Sequence, residues 1–338
     1  MASQPMSTAL ERRFLKFVGS VPESESLDAL LAGAQFDGER RADYLLFDRR
    51  VILEVKSLEV DTSPKVEAEM EKHRERDDFP LIYGSVGLEK VLKHLPDGKE
   101  INERIFFRTT RSVEDATRSA EDQIDNTARL LDLKESVGVL VLLNENIDVL
   151  SPDVVASRVA MLMRRKAEDG TDRSPIAYAW LLFEGHVATS GPADKTLPMV
   201  VLEGPRASSF KWFSENLTYL QVAWAQFNGY PLLHADGATL DDLRIAPTSS
   251  LKTPKPGDKI TRQQLWEHRY RERPYLRHMT DPEVLHHGRQ TIERMTPHFL
   301  VGGPKASVEE MDTMMVAWSD FLCEARHRGL DLRHMREA

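Results

Sequence analysis

Cysteine is nearly absent: Cys323 is the single one in 338 residues. That excludes a disulfide framework and a cysteine-built zinc site, and makes a reducing, cytoplasmic setting the default expectation. No apolar run approaches the roughly 18–20 residues that span a bilayer, so no membrane role is expected. The opening stretch, MASQPMSTALERRFLKF, lacks the charged-then-apolar order of a secretory signal. Phosphate-cradling glycine loops are missing as well, since Gly302-Gly303-Pro304 reads as a turn. No repeat or low-complexity tract occurs. Nor is there an excess of basic charge: the net charge is −9. Residues 1–250 carry 30 basic and 41 acidic side chains, whereas 251–338 carry 15 and 13 and hold seven of the eleven histidines. Contact with a polyanion is therefore expected to be local, or to work through bound cations.

What the chain does have is a regular succession of amphipathic and apolar segments. Leu10, Phe14, Phe17 and Val18 mark one side of a helix over 6–18. A second helix is predicted over 24–31 with Ser24 as its cap, and 33–38 is a first strand or a loop. Residues 42–47 (ADYLLF) and 51–58 (VILEVKSL) are two β-rich runs. The polar link Asp48-Arg49-Arg50 between them predicts an antiparallel hairpin. A charged helix follows over 64–76, with Pro64 in its first turn, then a helix over 86–95 and a strand over 105–109. The stretch 112–133 reads as a long helix whose inner face carries Ala116, Ala120, Ile124, Thr127 and Leu131. VGVLVLL (137–143) is continuously apolar, as a strand buried on both faces should be. A helix over 151–165 and strands over 176–183 and 199–202 complete an α/β sandwich in residues 1–205. An aromatic helix over 210–227, a connector over 247–258 and helices from Thr261 onward give a mainly helical second domain, 206–338.

The residues that carry chemistry sit on the hairpin. Glu54 and Lys56 are two apart on one strand and so share a face, while Val55 points the other way. Antiparallel pairing brings Asp43 toward them, within reach of one cation. Glu-x-Lys on a strand is ordinarily a solvated charge pair. Here its flanks, VIL before and Val55 and Leu58 around it, make the strand a buried one, where unpaired charge is expensive. Two carboxylates suit Mg²⁺ or Mn²⁺, and an ammonium beside them can orient water and offset charge in phosphodiester hydrolysis.

The pattern Asp43…Glu54-Val55-Lys56 resembles the motif of the PD-(D/E)XK nucleases, with Ala42 where the family has proline. The resemblance covers residues 8 to about 150. It implies a restriction-endonuclease-like α-β-β-β-α-β core, with Asp43 and Glu54 as metal ligands and Lys56 as the catalytic lysine. It further implies a glutamate on the preceding helix, for which Glu11 is the choice and Glu25 the next, and a glutamine on the long helix, Gln123. The expected activity is Mg²⁺- or Mn²⁺-dependent hydrolysis of DNA in a defence, restriction or repair setting. A non-catalytic nucleic-acid-binding or scaffold protein retaining such a fold is the alternative, and a structural Glu54–Lys56 ion pair in an unrelated α/β protein is a third.

Other features are weaker signals. His286-His287, with His278 and His298, lack the three- or four-residue spacing of helical metal ligands. Asn144-Glu145-Asn146 ends the buried strand where α/β proteins place sites, though a loop cap explains it as well. Trp212, Trp224 and Trp318 fit core positions. Segment 252–278 interleaves basic and aromatic residues. Lys259, Arg262, Arg269, Arg271 and Arg273 are its candidate phosphate contacts, set against an ordinary charged helix. The second domain is also the expected place for a protein partner or a homodimer contact.

Overall fold

The computed structural model describes residues 9–32, 39–84, 86–189, 196–233, 244–250 and 261–336. The chain forms two compact units, Met1–Lys65 with Phe107–Lys252, and Val66–Phe106 with Thr253–Ala338. The division differs from the expected 205/206 boundary in two ways. Residues 206–233 and 244–250 fold with the sheet, and the segment 66–106, expected to belong to the sheet domain, folds with the C-terminal helices.

The first unit is a mixed α/β structure around a six-stranded sheet. Helix α1 (Ala9–Val18) precedes the two-residue strand β1 (Glu25–Ser26) and the single turn α2 (Leu27–Leu30). The helix expected over 24–31 is thus only its second half; the first half pairs with the hairpin instead. The expectation for 33–38 lies outside the described residues. Strands β2 (Tyr44–Leu46) and β3 (Val51–Leu58) form the predicted antiparallel hairpin. Helices α3 (Ser63–Arg74), α4 (Leu88–Leu92) and α5 (Gly98–Thr109) intervene before the long α6 (Arg111–Leu130). The strand predicted over 105–109 is therefore helical. After α6 come β4 (Val137–Asn144), α7 (Pro152–Met163), β5 (Ile176–Phe183), β6 (His186–Thr189), β7 (Met199–Glu203), α8 (Lys211–Phe227) and β8 (Arg244–Pro247).

The sheet order is β1-β2-β3-β4-β5-β7, with β3, β4 and β5 parallel and the outer pairings antiparallel. Strands β6 and β8 form a separate antiparallel pair. Every residue of β4 and β5 is buried, as expected of parallel strands covered on both faces. One face carries Val51, Leu53, Val55, Val139, Val141 and Trp180, covered by Phe14 and Phe17 of α1 and Phe213, Leu217 and Trp224 of α8. The other carries Ile52, Leu58, Leu140, Leu142 and Leu181, covered by Ala120 and Ile124 of α6 and Val155 and Val159 of α7. The aromatic helix over 210–227 is thus half of a core, and Trp224 meets Phe14 and Phe17 edge-on or tilted.

The second unit holds α9 (Arg262–Glu272), α10 (Asp281–Phe299) and α11 (Val308–Arg328). Their core is Tyr270, Leu276, Val284, Phe321, Ala325 and Leu330. The 66–106 segment is bound to it by polar contacts: Leu81 N–H donates to Asp331, and Arg333 donates to the carbonyls of Asp77 and Asp78. Among the described residues, no helix is long and apolar enough to cross a membrane.

Candidate active site

Residue pairing fixes the site. Tyr44 lies opposite Leu53, the last pair of the β2–β3 ladder, and Asp43 just before it meets β3 beside Glu54, through its N–H to Leu53 and its side chain to Val55. Asp43 is held by its backbone on both sides: its N–H donates to Leu53 O (3.2 Å) and its carbonyl accepts from Leu27 N–H (2.9 Å). Its side chain takes the N–H of Val55 on Oδ2 at 2.7 Å, standing in for a strand carbonyl where β2 ends. Glu54 and Lys56 share the parity of Ile52 and so face α6 rather than α1.

Lys56 Nζ lies 2.5 Å from Glu54 Oε1, with Lys56 22% exposed and Glu54 1%. Solvent therefore reaches the ammonium but not the carboxylate. The contact lies off the hydrogen-bond axis, and neither Glu54 oxygen receives a hydrogen bond of good geometry among the described residues. Burial pushes the Asp43 carboxyl up to about 6, against the Val55 N–H and the Lys56 charge, with Asp28 and Glu11 adding to the push. Burial, and then the repulsion of Asp43, pushes Glu54 up to about 8 although Lys56 opposes it.

Gln123 of α6 joins the cluster. Its Oε1 accepts from Lys56 Nζ (2.5 Å) and from Ser119 Oγ (3.0 Å), and its Nε2 donates to Arg41 O (2.7 Å). Glu11 lies on α1, across the sheet, where it accepts from Ser57 Oγ at 3.0 Å. Glu25 forms a two-bond pair with Arg49 at the hairpin turn (2.7 and 2.8 Å). The structure thus brings together Asp43, Glu54, Lys56 and Gln123. Sequence reasoning missed Asp28, Ser119 and Thr127 around them. The polar stripe Ser119, Gln123, Thr127 on an otherwise apolar helix face was the readable signal.

Two neighbouring buried carboxyls, one of them with no hydrogen bond of good geometry on either oxygen, fit a hard divalent cation, because Mg²⁺ keeps several waters and binds through one or two carboxylates. No group of three or more His, Cys, Asp or Glu placed to hold a metal occurs among the described residues, and the histidines at 278–298 form none. Asn144 proves to be a loop cap: its amide donates to the carbonyls of Ile147 and Leu150 and its Oδ1 accepts from Ile147 N–H. Glu145 accepts from Leu10 N–H at the start of α1. In the second unit Arg262 pairs with Asp312, Arg271 with Glu267 at 3.5 Å, and Arg269 reaches Asp320 at 4.0 Å. Each of these arginines stays more than half exposed. Arg273 is exposed at the helix end, and Lys259 lies outside the described residues. A cavity of about 700 Å³ on the far flank of α6, between Asp125, Arg129 and Arg206, is separate from the cluster. No protein-family model, curated protein or solved structure matches this chain.

Proposed function

We propose that the chain is a metal-dependent nuclease of the PD-(D/E)XK kind, hydrolysing DNA phosphodiester bonds with Mg²⁺ or Mn²⁺. The observation that carries the reading is the buried Glu54 carboxyl, with Asp43 near enough to raise its pKa and the Lys56 ammonium 2.5 Å from its Oε1. The order α1, β1–β3, α6, β4, with α3–α5 inserted before α6, agrees with a restriction-endonuclease-like core. Asp43 and Glu54 would hold the cation, which supplies Lewis acidity and lowers the pKa of a bound water. Holding a cation would require Glu54 to give up the proton that burial favours, so its charge would be expressed only where it is compensated. Lys56, part-exposed and tied to Gln123, is placed to orient the attacking water and to offset charge on the phosphoryl oxygens.

The test incubates the full chain with plasmid DNA, single-stranded DNA and RNA, in Mg²⁺, Mn²⁺ or chelator. Wild type should cleave DNA only with the cation. Lys56→Ala should lose about 10²–10⁴-fold in rate yet keep the rise in Tm that Mn²⁺ gives wild type. Asp43→Ala and Glu54→Ala should lose both. Metal binding without cleavage would make the chain a non-catalytic scaffold. A Lys56→Ala protein that melts far below an inactive wild type would leave Glu54–Lys56 as a structural ion pair.

A further inference from the structure

We propose that one stripe of α6, centred on Thr127 with Gln123 and Ser119, positions Asp43 and Lys56 relative to each other; the inference rests on the nuclease reading. Residues 119, 123 and 127 are four apart and lie on one side of the helix. Thr127 is fully buried, and its Oγ1 accepts the N–H of Ala42 at 2.8 Å. Ala42, itself buried, stands just before the paired residues of β2. Its N–H thus takes its acceptor from the helix, and a buried donor left without one would carry its full desolvation penalty. A proline at this position would carry no N–H, so Ala42 and Thr127 form a matched donor and acceptor. The peptide they secure leads directly into Asp43.

Gln123 does the same for the other end. Its Nε2 donates to Arg41 O, which turns Oε1 toward Lys56 and Ser119. The reversed amide would set its NH₂ against an ammonium, which only donates, so one orientation satisfies all partners. Lys56 therefore has a neutral anchor besides Glu54. With Glu54 engaged by a cation, Gln123 would still hold the ammonium. Ser119 holds the same acceptor from one turn away. The positioning residues touch neither substrate nor cation; they hold the groups that do.

The experiment compares Thr127→Val, which keeps the shape and removes the acceptor, with Thr127→Ser, which keeps the acceptor, in wild-type and Ala42→Pro backgrounds. The readouts are Mn²⁺ affinity and steady-state cleavage of plasmid DNA by the full chain. Thr127→Val should weaken Mn²⁺ binding and lower kcat by about 10–100-fold, the range for partners that orient a metal ligand, with KM for DNA unchanged. Thr127→Ser should stay near wild type, and Thr127→Val should be close to silent once the Ala42→Pro change has removed the donor. If the Ala42→Pro protein does not fold, the valine–serine contrast decides alone. A Thr127→Val protein that melts lower but binds Mn²⁺ and turns over like wild type overturns the inference and leaves the nuclease reading standing. Wild type that neither binds Mn²⁺ nor cleaves overturns both.

Discussion

At the scale of single residues, Glu54 and Asp43 are carboxyls made reluctant to ionise. Their folded pKa values, about 8 and about 6, lie above the ordinary carboxylate range because burial opposes charge, helped at Glu54 by the repulsion of Asp43 and at Asp43 by Asp28 and Glu11. The folded, metal-free protein therefore holds protons that the unfolded chain releases. This contribution to stability is fully present below about pH 4 and is lost as pH rises, levelling off above about pH 8. A divalent cation reverses the preference, since it needs both groups ionised and must expel those protons. The increase in Tm given by saturating Mn²⁺ should accordingly grow from about pH 5 to about pH 8 and then flatten. Melting curves across that range, with and without Mn²⁺, check this; an increment independent of pH, or one that shrinks toward alkaline pH, would mean that the cation binds elsewhere. The sequence disclosed the residues of this site through the spacing Asp43, Glu54, Lys56. It did not disclose their protonation, which depends on how completely α6 covers Glu54.

At the scale of elements, the hairpin and its turn were legible to within one residue, but the turn's conformation was not. The alternation in 42–47 and 51–58 located both strands, but the polar link was placed at residues 48–50. The chain in fact reverses from Phe47, with Phe47, Asp48 and Arg49 all at positive φ (53°, 53° and 63°). Such a run is costly for residues with a side chain, roughly 1–2 kcal/mol each in the left-handed region and less for aspartate. Phe47 is retained by packing on Phe213, and Arg49 by its pair with Glu25. Asp48 is exposed. Asp48→Gly should therefore raise stability by about 0.5–1 kcal/mol without altering metal binding, because glycine accepts positive φ freely. Chemical denaturation of the two proteins measures it, and a destabilised variant would mean that Asp48 makes a contact worth more than the strain. The misread strand at 105–109 has a similar lesson. Ile-Phe-Phe invited a β assignment, yet Ile101 and Ile105, four apart, both bury against Leu92 and Leu95, and that helical spacing outweighs local preference.

At the scale of the whole chain, linear order misled where contacts between distant segments decide. Residues 206–227 look like the start of something new because aromatics replace the alternating strands. Their side chains nevertheless close one face of the sheet, with Phe213, Leu217, Leu220 and Trp224 packed among Phe14, Val139 and Trp180. The insertion 66–106 leaves and rejoins the sheet unit at neighbouring points, where Thr62 Oγ donates to Thr109 O at 3.2 Å. A fragment ending at residue 205 should therefore not fold. It would uncover the part of the sheet face that α8 covers and lose the burial of four large side chains, each worth about 1.5–3 kcal/mol when buried, against a typical total stability of about 5–15 kcal/mol. A fragment of 1–252 in which a short Gly/Ser linker replaces 66–106 keeps both faces covered and retains Asp43, Glu54, Lys56 and the α6 stripe. It should unfold in one cooperative transition and bind Mn²⁺ with the pH dependence of the full chain. Circular dichroism melts and Mn²⁺ titration of the two fragments decide the matter. If 1–205 folds cooperatively while the linked 1–252 fragment does not, the sheet unit ends where the composition changes, and α8 belongs with the second unit after all.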